Sequence, residues 1–203
     1  RGRPVIGIDM PDREGVIGIG VDDVGGARAA ARHLIKKGHR RIGIISLPTS
    51  RRRADRMGTP TDFDTASIRF PKERWRGYAE AFEEAEIDPA TVPIRICKVN
   101  AQESGRAAMD ALLDQNLDRP PAVLAMSDVV ARGAMDACRE RGLSVPQDIA
   151  IVGFDDAPFA KDTGLTTVAQ DAGEKALIAV RCALGETVET TVVSTTVMER
   201  STS

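Results

Sequence analysis

The chain is poor in the residues that most often carry catalysis, metal binding or disulfide bonds. Its 203 residues include two histidines, three cysteines, one tryptophan, one tyrosine and five phenylalanines. The cysteines (Cys97, Cys138 and Cys182) are odd in number, lie far apart and form no CxxC or Cys-His spacing, so no metal site is predicted. We expect three buried thiols, as is typical of a protein in the reducing cytoplasm.

An excess of charge of one sign is also lacking. The 28 basic and 30 acidic residues give a formal charge of −2 and a pI near 5.8. A nucleic-acid-binding domain usually has a basic face and a pI above about 9, so these residues are not expected to contact DNA themselves. No apolar run approaches the about 18 residues that a membrane span needs. The chain opens on Arg-Gly-Arg-Pro rather than a signal peptide and reaches a strand at once, so we expect an N-terminal truncation.

What the sequence does contain is an alternation of short apolar runs with helical patterns. The run 122–126 stops at Ser127-Asp128, a helix follows as far as Gly142, and a second run, 149–154, stops at Asp155-Asp156. Strand, helix and strand with short joints form the unit of a parallel sheet, whose buried strands are continuously hydrophobic. The sequence therefore predicts an α/β fold with doubly wound parallel sheets.

The same alternation extends over most of the chain. Further strands are predicted at 4–9, 16–21, 42–45, 94–99, 165–168 and 191–198, and further helices at 24–37, 72–86, 103–115 and 172–184. Asp22-Asp23 occupy the N-cap of the first helix, and Gly38 ends it. The segment 47–70 has no clear period, and a loop of that length in a compact domain is usually functional or mobile.

Small polar and acidic residues follow four of the predicted strands. They are Ser46, Asn100, Ser127-Asp128 and Asp155-Asp156. Ligands of open parallel sheets bind outside the carboxyl ends of the strands, and carboxylates and amides suit hydroxyl and amine groups. A sugar, another polyol or a nucleoside therefore fits better than a free phosphate. As an alternative, Asp128 and Asp156 only cap the helix or turn that follows them.

Two groups of arginines are candidates for ligand contacts. Arg74, at the start of a helix beyond the Ser46 strand end, could donate a bidentate pair to ligand hydroxyls or to an acid across the crevice, or could lie on a solvated helix face. The cluster formed by residues 51–53 and Arg56 could contact phosphate, but no aromatic residue accompanies it for base stacking. A solvated loop is the alternative for that cluster.

An enzyme is not predicted. His33 lies within a helix, and His39 precedes a strand at the end of the sheet opposite to the crevice. No GxSxG elbow, P-loop or GxGxxG motif follows a strand, and adjacent acids such as Asp155 and Asp156 point to opposite sides of an extended backbone.

Seven motifs in order resemble one protein family. They are Gly38-His39-Arg40-Arg41-Ile42, Arg74-x-x-Gly77-Tyr78, Ser127-Asp128 with Gly133-Ala134-Met135, Val145-Pro146-Gln147-Asp148-Ile149, Gly153-Phe154-Asp155-Asp156, Leu165-Thr166-Thr167-Val168 with Gln170, and Glu199-Arg200-Ser201-Thr202. Their succession is similar to the effector-binding core of the LacI/GalR family of bacterial transcriptional repressors, and the resemblance covers essentially the whole chain.

The resemblance implies a periplasmic-binding-protein-like (type I) pair of lobes joined by three crossovers, with the N-terminal lobe incomplete. Residues 1–23 and 169–186 would be the remnant of that lobe, and 24–167 with 190–203 would be the C-terminal lobe. The helix-turn-helix headpiece that binds the operator would be absent. A homodimer in the cytoplasm, without a cofactor, is implied.

The effector contacts implied by the resemblance are Arg74, Asp155, Ser127, Asn100 and either Asp12 or Asp9. Ser127 stands where sugar-binding members often have asparagine, so the effector class stays open. A periplasmic sugar-binding protein of a transporter, which shares the fold, is one alternative function, and an enzyme of doubly wound fold is another.

Overall fold

The computed structural model describes residues 5–9, 14–51, 53–114, 121–186 and 189–203. Its strands are β1 (Val5–Ile8), β2 (Val16–Val21), β3 (Ile42–Ser46), β4 (Arg56–Gly58), β5 (Ile94–Ile96), β6 (Ala122–Ala125), β7 (Ala150–Val152), β8 (Thr167–Gln170), β9 (Thr191–Val193) and β10 (Thr195–Met198). Its helices are α1 (Asp23–Lys36), α2 (Thr61–Asp64), α3 (Arg69–Glu84), α4 (Gln102–Leu113), α5 (Asp128–Glu140), α6 (Pro158–Asp162) and α7 (Ala172–Ala183), with a 3₁₀ turn at Pro89–Thr91.

The main sheet has the strand order β4-β5-β3-β6-β7. Strands β5, β3, β6 and β7 are parallel, and β4 is an antiparallel edge strand. Every residue of β3, β6 and β7 is buried, which is expected of parallel strands covered by helices on both faces. The predicted α/β fold with parallel sheets is confirmed.

The predicted start and stop of α1 are both confirmed. The Asp22 carboxylate accepts a hydrogen bond from Gly25 N at 2.8 Å, which satisfies one of the free amides of the first turn. After the helix, Gly38 has a φ of +96°, a conformation that glycine adopts without steric cost.

The helices pack in pairs that glycines allow to approach closely. Gly77 of α3 faces the backbone of α1, where an added Cβ would lie 2.8 Å from Arg28 N. Gly105 of α4 and Gly133 of α5 face each other's helices in the same way. A side chain at any of the three would overlap main-chain atoms, so glycine is needed there for the helix spacing rather than for φ.

A smaller parallel sheet, β1-β2-β9, is covered by α7, and β8 pairs with β10 in an antiparallel ribbon. The strand predicted at 191–198 is therefore two strands. The break lies at Ser194, so β9 pairs with β2 in the small sheet and β10 pairs with β8. Thr166, the residue before β8, forms a bridge with Val152 of β7. The division of the chain into lobes, which placed 190–203 in the C-terminal lobe, stays a prediction.

The segment 47–70 contains regular structure that its sequence did not indicate. It forms edge strand β4 and the one-turn helix α2, whose buried Phe63 stacks on Trp75 of α3 with ring centroids 4.9 Å apart. Polar residues surround these short elements, which explains why no hydrophobic period was visible.

Within the described residues, no helix is long and apolar enough to span a bilayer.

Candidate ligand-binding site

A cavity of about 550 Å³ lies where the carboxyl ends of strands from both parallel sheets meet. Its size is in the range of small-molecule sites. It is lined by Asp9, Gly20, Val21, Asp23, Leu47, Pro48, Arg53, Ile68, Arg69, Phe70, Arg74, Val99, Asn100, Asp155 and Gln170. Four of the six predicted site residues, Asp9, Arg74, Asn100 and Asp155, are therefore brought together at one cavity.

The other two predicted residues are placed differently. Ser127 is fully buried behind the cavity wall, where its Oγ donates a 2.6 Å hydrogen bond to Asn100 Oδ1 and accepts one from Val130 N at 3.4 Å. It orients the Asn100 side chain and caps α5, but does not line the cavity. Asp12 lies outside the described residues.

Arg74 is the central group of the cavity. Only 6% of the residue is exposed. Its Nε donates to Asp23 Oδ1 at 2.8 Å, one terminal nitrogen donates to the Met126 carbonyl, and the other to Asp155 Oδ1 at 3.4 Å. The guanidinium carbon lies 3.6 Å from the centroid of the Phe154 ring, a cation–π distance. The alternative of a solvated helix face is therefore wrong for Arg74.

Asp155 is held in an uncommon backbone conformation. It has a φ of 114° and Asp156 one of 51°, conformations that cost a residue with a Cβ about 1 to 3 kcal/mol each and persist only where neighbours enforce them. Asp155 N donates to Val168 O at 2.8 Å, and the carboxylate accepts from Gln170 Nε2 at 2.6 Å. Burial raises the pKa of Asp155, and the nearby positive charge of Arg74 opposes this rise.

Two polar residues that the sequence did not single out as site residues complete this network. The ammonium of Lys175, a residue only 9% exposed, donates to Gln170 Oε1 at 2.9 Å and to Asp9 Oδ1 at 3.2 Å. A continuous set of contacts therefore runs from Asp9 beside the small sheet, through Lys175, to Gln170 at the end of β8. Gln170 belonged to a recognised motif, but nothing local distinguishes Lys175 from a solvated lysine.

Asp128 and Asp156 have structural roles, but neither caps the helix that follows it, because Ser127 caps α5 and α6 has no side-chain cap. The fully buried Asp128 carboxylate accepts from Ala157 N at 2.7 Å and from the Thr167 hydroxyl at 2.5 Å. Asp156 pairs with Arg200 at 2.6 Å. These contacts hold the turn that carries Asp155.

We expect Asp128→Asn to remove the part of the pH dependence of the free energy of unfolding that comes from the titration of Asp128. Burial raises the Asp128 pKa to about 6, against about 4 for an aspartate in an unfolded chain. The folded protein thus binds this proton more readily, and the stability present below pH 4 is lost as the pH rises through 6. Urea unfolding from pH 4 to 7 should show that the unchanged protein loses about 2 kcal/mol relative to the variant.

Asparagine suits this position because its carbonyl can accept from Ala157 while the Thr167 hydroxyl turns to accept from the amide. The charge of Asp155 contributes to the raised pKa of Asp128, so the difference between the two proteins includes this coupling as well as the titration of Asp128 itself. A difference that stays constant from pH 4 to 7 would refute the prediction.

The arginines of the 51–56 cluster separate in the structure. Arg56 is held by Asp62 through hydrogen bonds of 2.6 and 2.9 Å, whereas Arg53 lines the cavity together with Arg69 of α3. The histidines lie elsewhere: His33 Nε2 is 2.8 Å from Ser203 Oγ, and His39 precedes β3 at the end away from the cavity. Among the described residues no group of three or more His, Cys, Asp or Glu could hold a metal ion.

Fold and site together define a small-molecule-binding domain with two parallel sheets around a polar cavity. The periplasmic binding protein-like domain family matches residues 31–203. The HTH-type transcriptional regulator IpsA of Corynebacterium glutamicum is 36% identical over 171 residues, which cover 84% of this chain and 48% of that protein.

Two solved structures agree with this match. A LacI-family transcriptional regulator from Corynebacterium glutamicum superposes with a TM-score of 0.90 at 33% identity, covering 98% of this chain and 60% of that one. The transcriptional regulator CelR in complex with cellobiose superposes with a TM-score of 0.74 at 32% identity, covering 93% and 54%.

The chain belongs to the LacI family of transcriptional regulators and is an effector-binding domain of that family. This confirms the family, the periplasmic-binding-protein-like fold and a binding rather than an enzymatic function. It favours a regulator over the transport protein considered as an alternative. The chain spans about half the length of the curated relatives it matches.

Proposed function

We propose that this domain binds a small polar effector, such as a sugar, another polyol or a nucleoside, in the cavity between the two sheets, and thereby controls operator binding by the whole protein. The observation that carries the proposal is the convergence of Asp9, Asn100, Asp155 and Arg74 on one cavity of about 550 Å³. The relative CelR is described in complex with a sugar, cellobiose, which supports the same effector class here.

In this proposal each polar group has a distinct role. Asp155 accepts hydrogen bonds from effector hydroxyls, and Arg74 holds Asp155 and Asp23 in place. Asn100, oriented by Ser127, offers its amide, and Asp9 contributes a carboxylate beside the small sheet. Asp12 stays a predicted contact. No cofactor is required because binding involves no bond rearrangement.

We further propose a two-lobe division that follows the strand pairing. Residues up to 21, the α7 region 172–186 and 191–193 form the N-terminal lobe, and 24–170 with 195–203 form the C-terminal lobe. Effector contacts from Asp9 on one side and Asp155 on the other would favour one arrangement of the lobes. A ligand shifts such an equilibrium only through its differential affinity for the two states.

The partners of the whole protein follow from the family. We propose a cytoplasmic homodimer that binds operator DNA through a helix-turn-helix headpiece not contained in these residues. The near-neutral charge of the chain supports a separate DNA-binding part.

A ligand screen on the complete protein tests the proposal. Thermal unfolding is recorded with sugars, polyols and nucleosides, and a true effector raises the midpoint as its concentration exceeds the dissociation constant. The same compound should change the affinity for the operator fragment. A compound that stabilises the protein without changing operator affinity would refute the allosteric part of the proposal.

We expect Asp155→Ala to weaken binding of any effector found in the screen by about 2 kcal/mol, because a charged hydrogen-bond acceptor is lost. Isothermal titration calorimetry measures the change. Asp162→Ala is the matched control, since Asp162 is an exposed aspartate of α6 that does not line the cavity. Equal affinities of Asp155→Ala and the unchanged protein would remove Asp155 from the site.

A further inference from the structure

Lys175 is a nearly buried cation at an unfavourable position of its helix. It lies near the N-terminus of α7, where the helix dipole disfavours a positive charge. Its side chain is nevertheless only 11% exposed, and its ammonium donates to Gln170 Oε1 at 2.9 Å and to Asp9 Oδ1 at 3.2 Å. Burying an ammonium costs free energy unless it is paired and hydrogen-bonded, so these two contacts hold Lys175 in place.

The contact with Asp9 does not by itself explain the burial of Lys175. The Asp9 side chain is 58% exposed, and an ion pair with so exposed a carboxylate contributes little to stability. The contact with Gln170 is the shorter of the two, and Gln170 lines the cavity. The more specific contact of Lys175 is therefore the one with Gln170.

The Gln170 carboxamide joins Lys175 to Asp155, and we call these three residues the relay. Gln170 Nε2 donates to Asp155 Oδ1 at 2.6 Å, while Gln170 Oε1 accepts from Lys175. An ammonium only donates and an ionised carboxylate only accepts, so a single orientation of the amide satisfies both neighbours. The positive charge at Oε1 also polarises the amide and strengthens the hydrogen bond from Nε2. Lys175 thus determines how Gln170 meets Asp155.

The relay leaves one oxygen of Asp155 for a ligand. Gln170 and Arg74 both donate to Oδ1, and no hydrogen bond among the described residues uses Oδ2. The contact from Gln170 is much the shorter, at 2.6 Å against 3.4 Å, so it contributes most to the orientation of the carboxylate. A hydroxyl of an effector would then meet Oδ2 in a fixed direction.

We propose that Lys175 is a positioning residue of the effector site: through the Gln170 carboxamide it fixes the Asp155 carboxylate so that Oδ2 is left for the effector. This inference rests on the proposed function, which assigns Asp155 to the effector hydroxyls, and it adds a residue that does not itself line the cavity. Because α7 covers the small sheet and Asp155 follows β7 of the main sheet, the relay joins the two sheets beside the cavity.

The side-chain amide of Gln170 reports on the relay without any ligand. Nuclear magnetic resonance is recorded on the complete protein with isotope-labelled glutamine, and the Gln170 signals are assigned by their loss in Gln170→Met. The amide proton bound to Asp155 should resonate at lower field than that of a free glutamine. In Lys175→Met it should move towards the free value, because the amide is no longer held at its oxygen.

Two features keep this comparison clear. Methionine retains most of the unbranched apolar stem of lysine, so the packing of α7 is preserved in Lys175→Met. Arg181→Met is the matched control, since Arg181 is an exposed cation of the same helix that pairs with Glu186 at 3.3 Å. It should leave the Gln170 signal in place.

The effect on binding is measured by calorimetry with cellobiose, ribose, sorbitol and adenosine, which represent the sugars, polyols and nucleosides of the proposed function. For a compound that binds, Lys175→Met should weaken the affinity by about tenfold, less than Asp155→Ala, because the acceptor remains but is no longer held. Gln170→Met should weaken it at least as much. Adding Lys175→Met to Gln170→Met should weaken binding no further, since the two residues act in one relay.

The outcomes separate the two proposals. If the Gln170 signal is the same in Lys175→Met and in the unchanged protein, or if the losses of affinity from the two substitutions add, the positioning role is refuted while the effector site stands. If none of the compounds binds although the signal moves, the proposed effector class fails while the role of Lys175 in holding Asp155 stands.

Discussion

Arg74→Ala is expected to lower the free energy of unfolding by about 3 to 5 kcal/mol and to reduce effector affinity by about 100-fold. The guanidinium is nearly buried between the carboxylates of Asp23 and Asp155, at 2.8 and 3.4 Å, and stacks on Phe154. Its removal leaves the largely buried Asp23 carboxylate and the partly exposed Asp155 carboxylate without their cation. The affinity falls because Asp155 is no longer held towards the cavity.

Arg76→Ala is the matched control on the same helix. Among the described residues, the exposed Arg76 side chain pairs with Glu73 and Glu80, at 3.2 and 3.8 Å, so its loss should change the free energy of unfolding by less than about 1 kcal/mol. Arg74→Lys should be destabilised too, because an ammonium cannot reach three acceptors in different directions. Urea unfolding and calorimetry provide both readouts. If Arg74→Ala and Arg76→Ala have the same free energy of unfolding, the buried ion cluster does not contribute to stability.

Gly133→Ala is expected to lower the free energy of unfolding by about 3 kcal/mol or more. A Cβ at this position would overlap the Gln102 carbonyl oxygen and lie 2.6 Å from Arg106 N. Both are backbone atoms of α4, so the two helices must separate, and the buried Val130 and Met109 lose packing with them. Urea unfolding measures the loss.

Gly173→Ala in α7 is the control for this substitution. A Cβ there meets only the Asp171 carboxylate, at 3.3 Å, and alanine favours a helix over glycine by about 1 kcal/mol. Because the same carboxylate oxygen accepts the cap hydrogen bond from Glu174 N, the two effects oppose each other, and the free energy of unfolding should change by less than about 1 kcal/mol. A Gly133→Ala variant as stable as Gly173→Ala would show that α4 and α5 can separate without cost.

Features that depend on residues near in sequence could be predicted, whereas those that depend on distant residues could not. The buried parallel strands are visible in the sequence as continuous apolar runs. Asp155 was predicted as a site residue because it directly follows such a run. Lys175 could not be found in this way, because its burial depends on Asp9, 166 residues away in sequence. Asp23 was assigned to the helix cap, although its carboxylate also binds Arg74 in the cavity.

Two placements that the sequence did not predict have equally specific causes. Ser127 follows a strand as Asp155 does, but its hydroxyl points inward to Asn100 and to the N-terminus of α5. This orientation depends on the partners of the side chain, which the position after a strand does not indicate. The break at Ser194 was missed because β9 and β10 have similar β-branched residues, and only their partners in two different sheets distinguish them.

The close approach of the glycine-bearing helices also decides where the molecule can bend. Close approach of backbone to backbone at these glycines fixes the helix spacing, and side-chain ion pairs join the same helices, so we expect α1 with α3 and α4 with α5 each to move as a block. The small sheet connects to these blocks at just three points along the described chain: Asp22, Asp171 and Ser194. Any swing of the small sheet would be taken up as torsion at these three hinges.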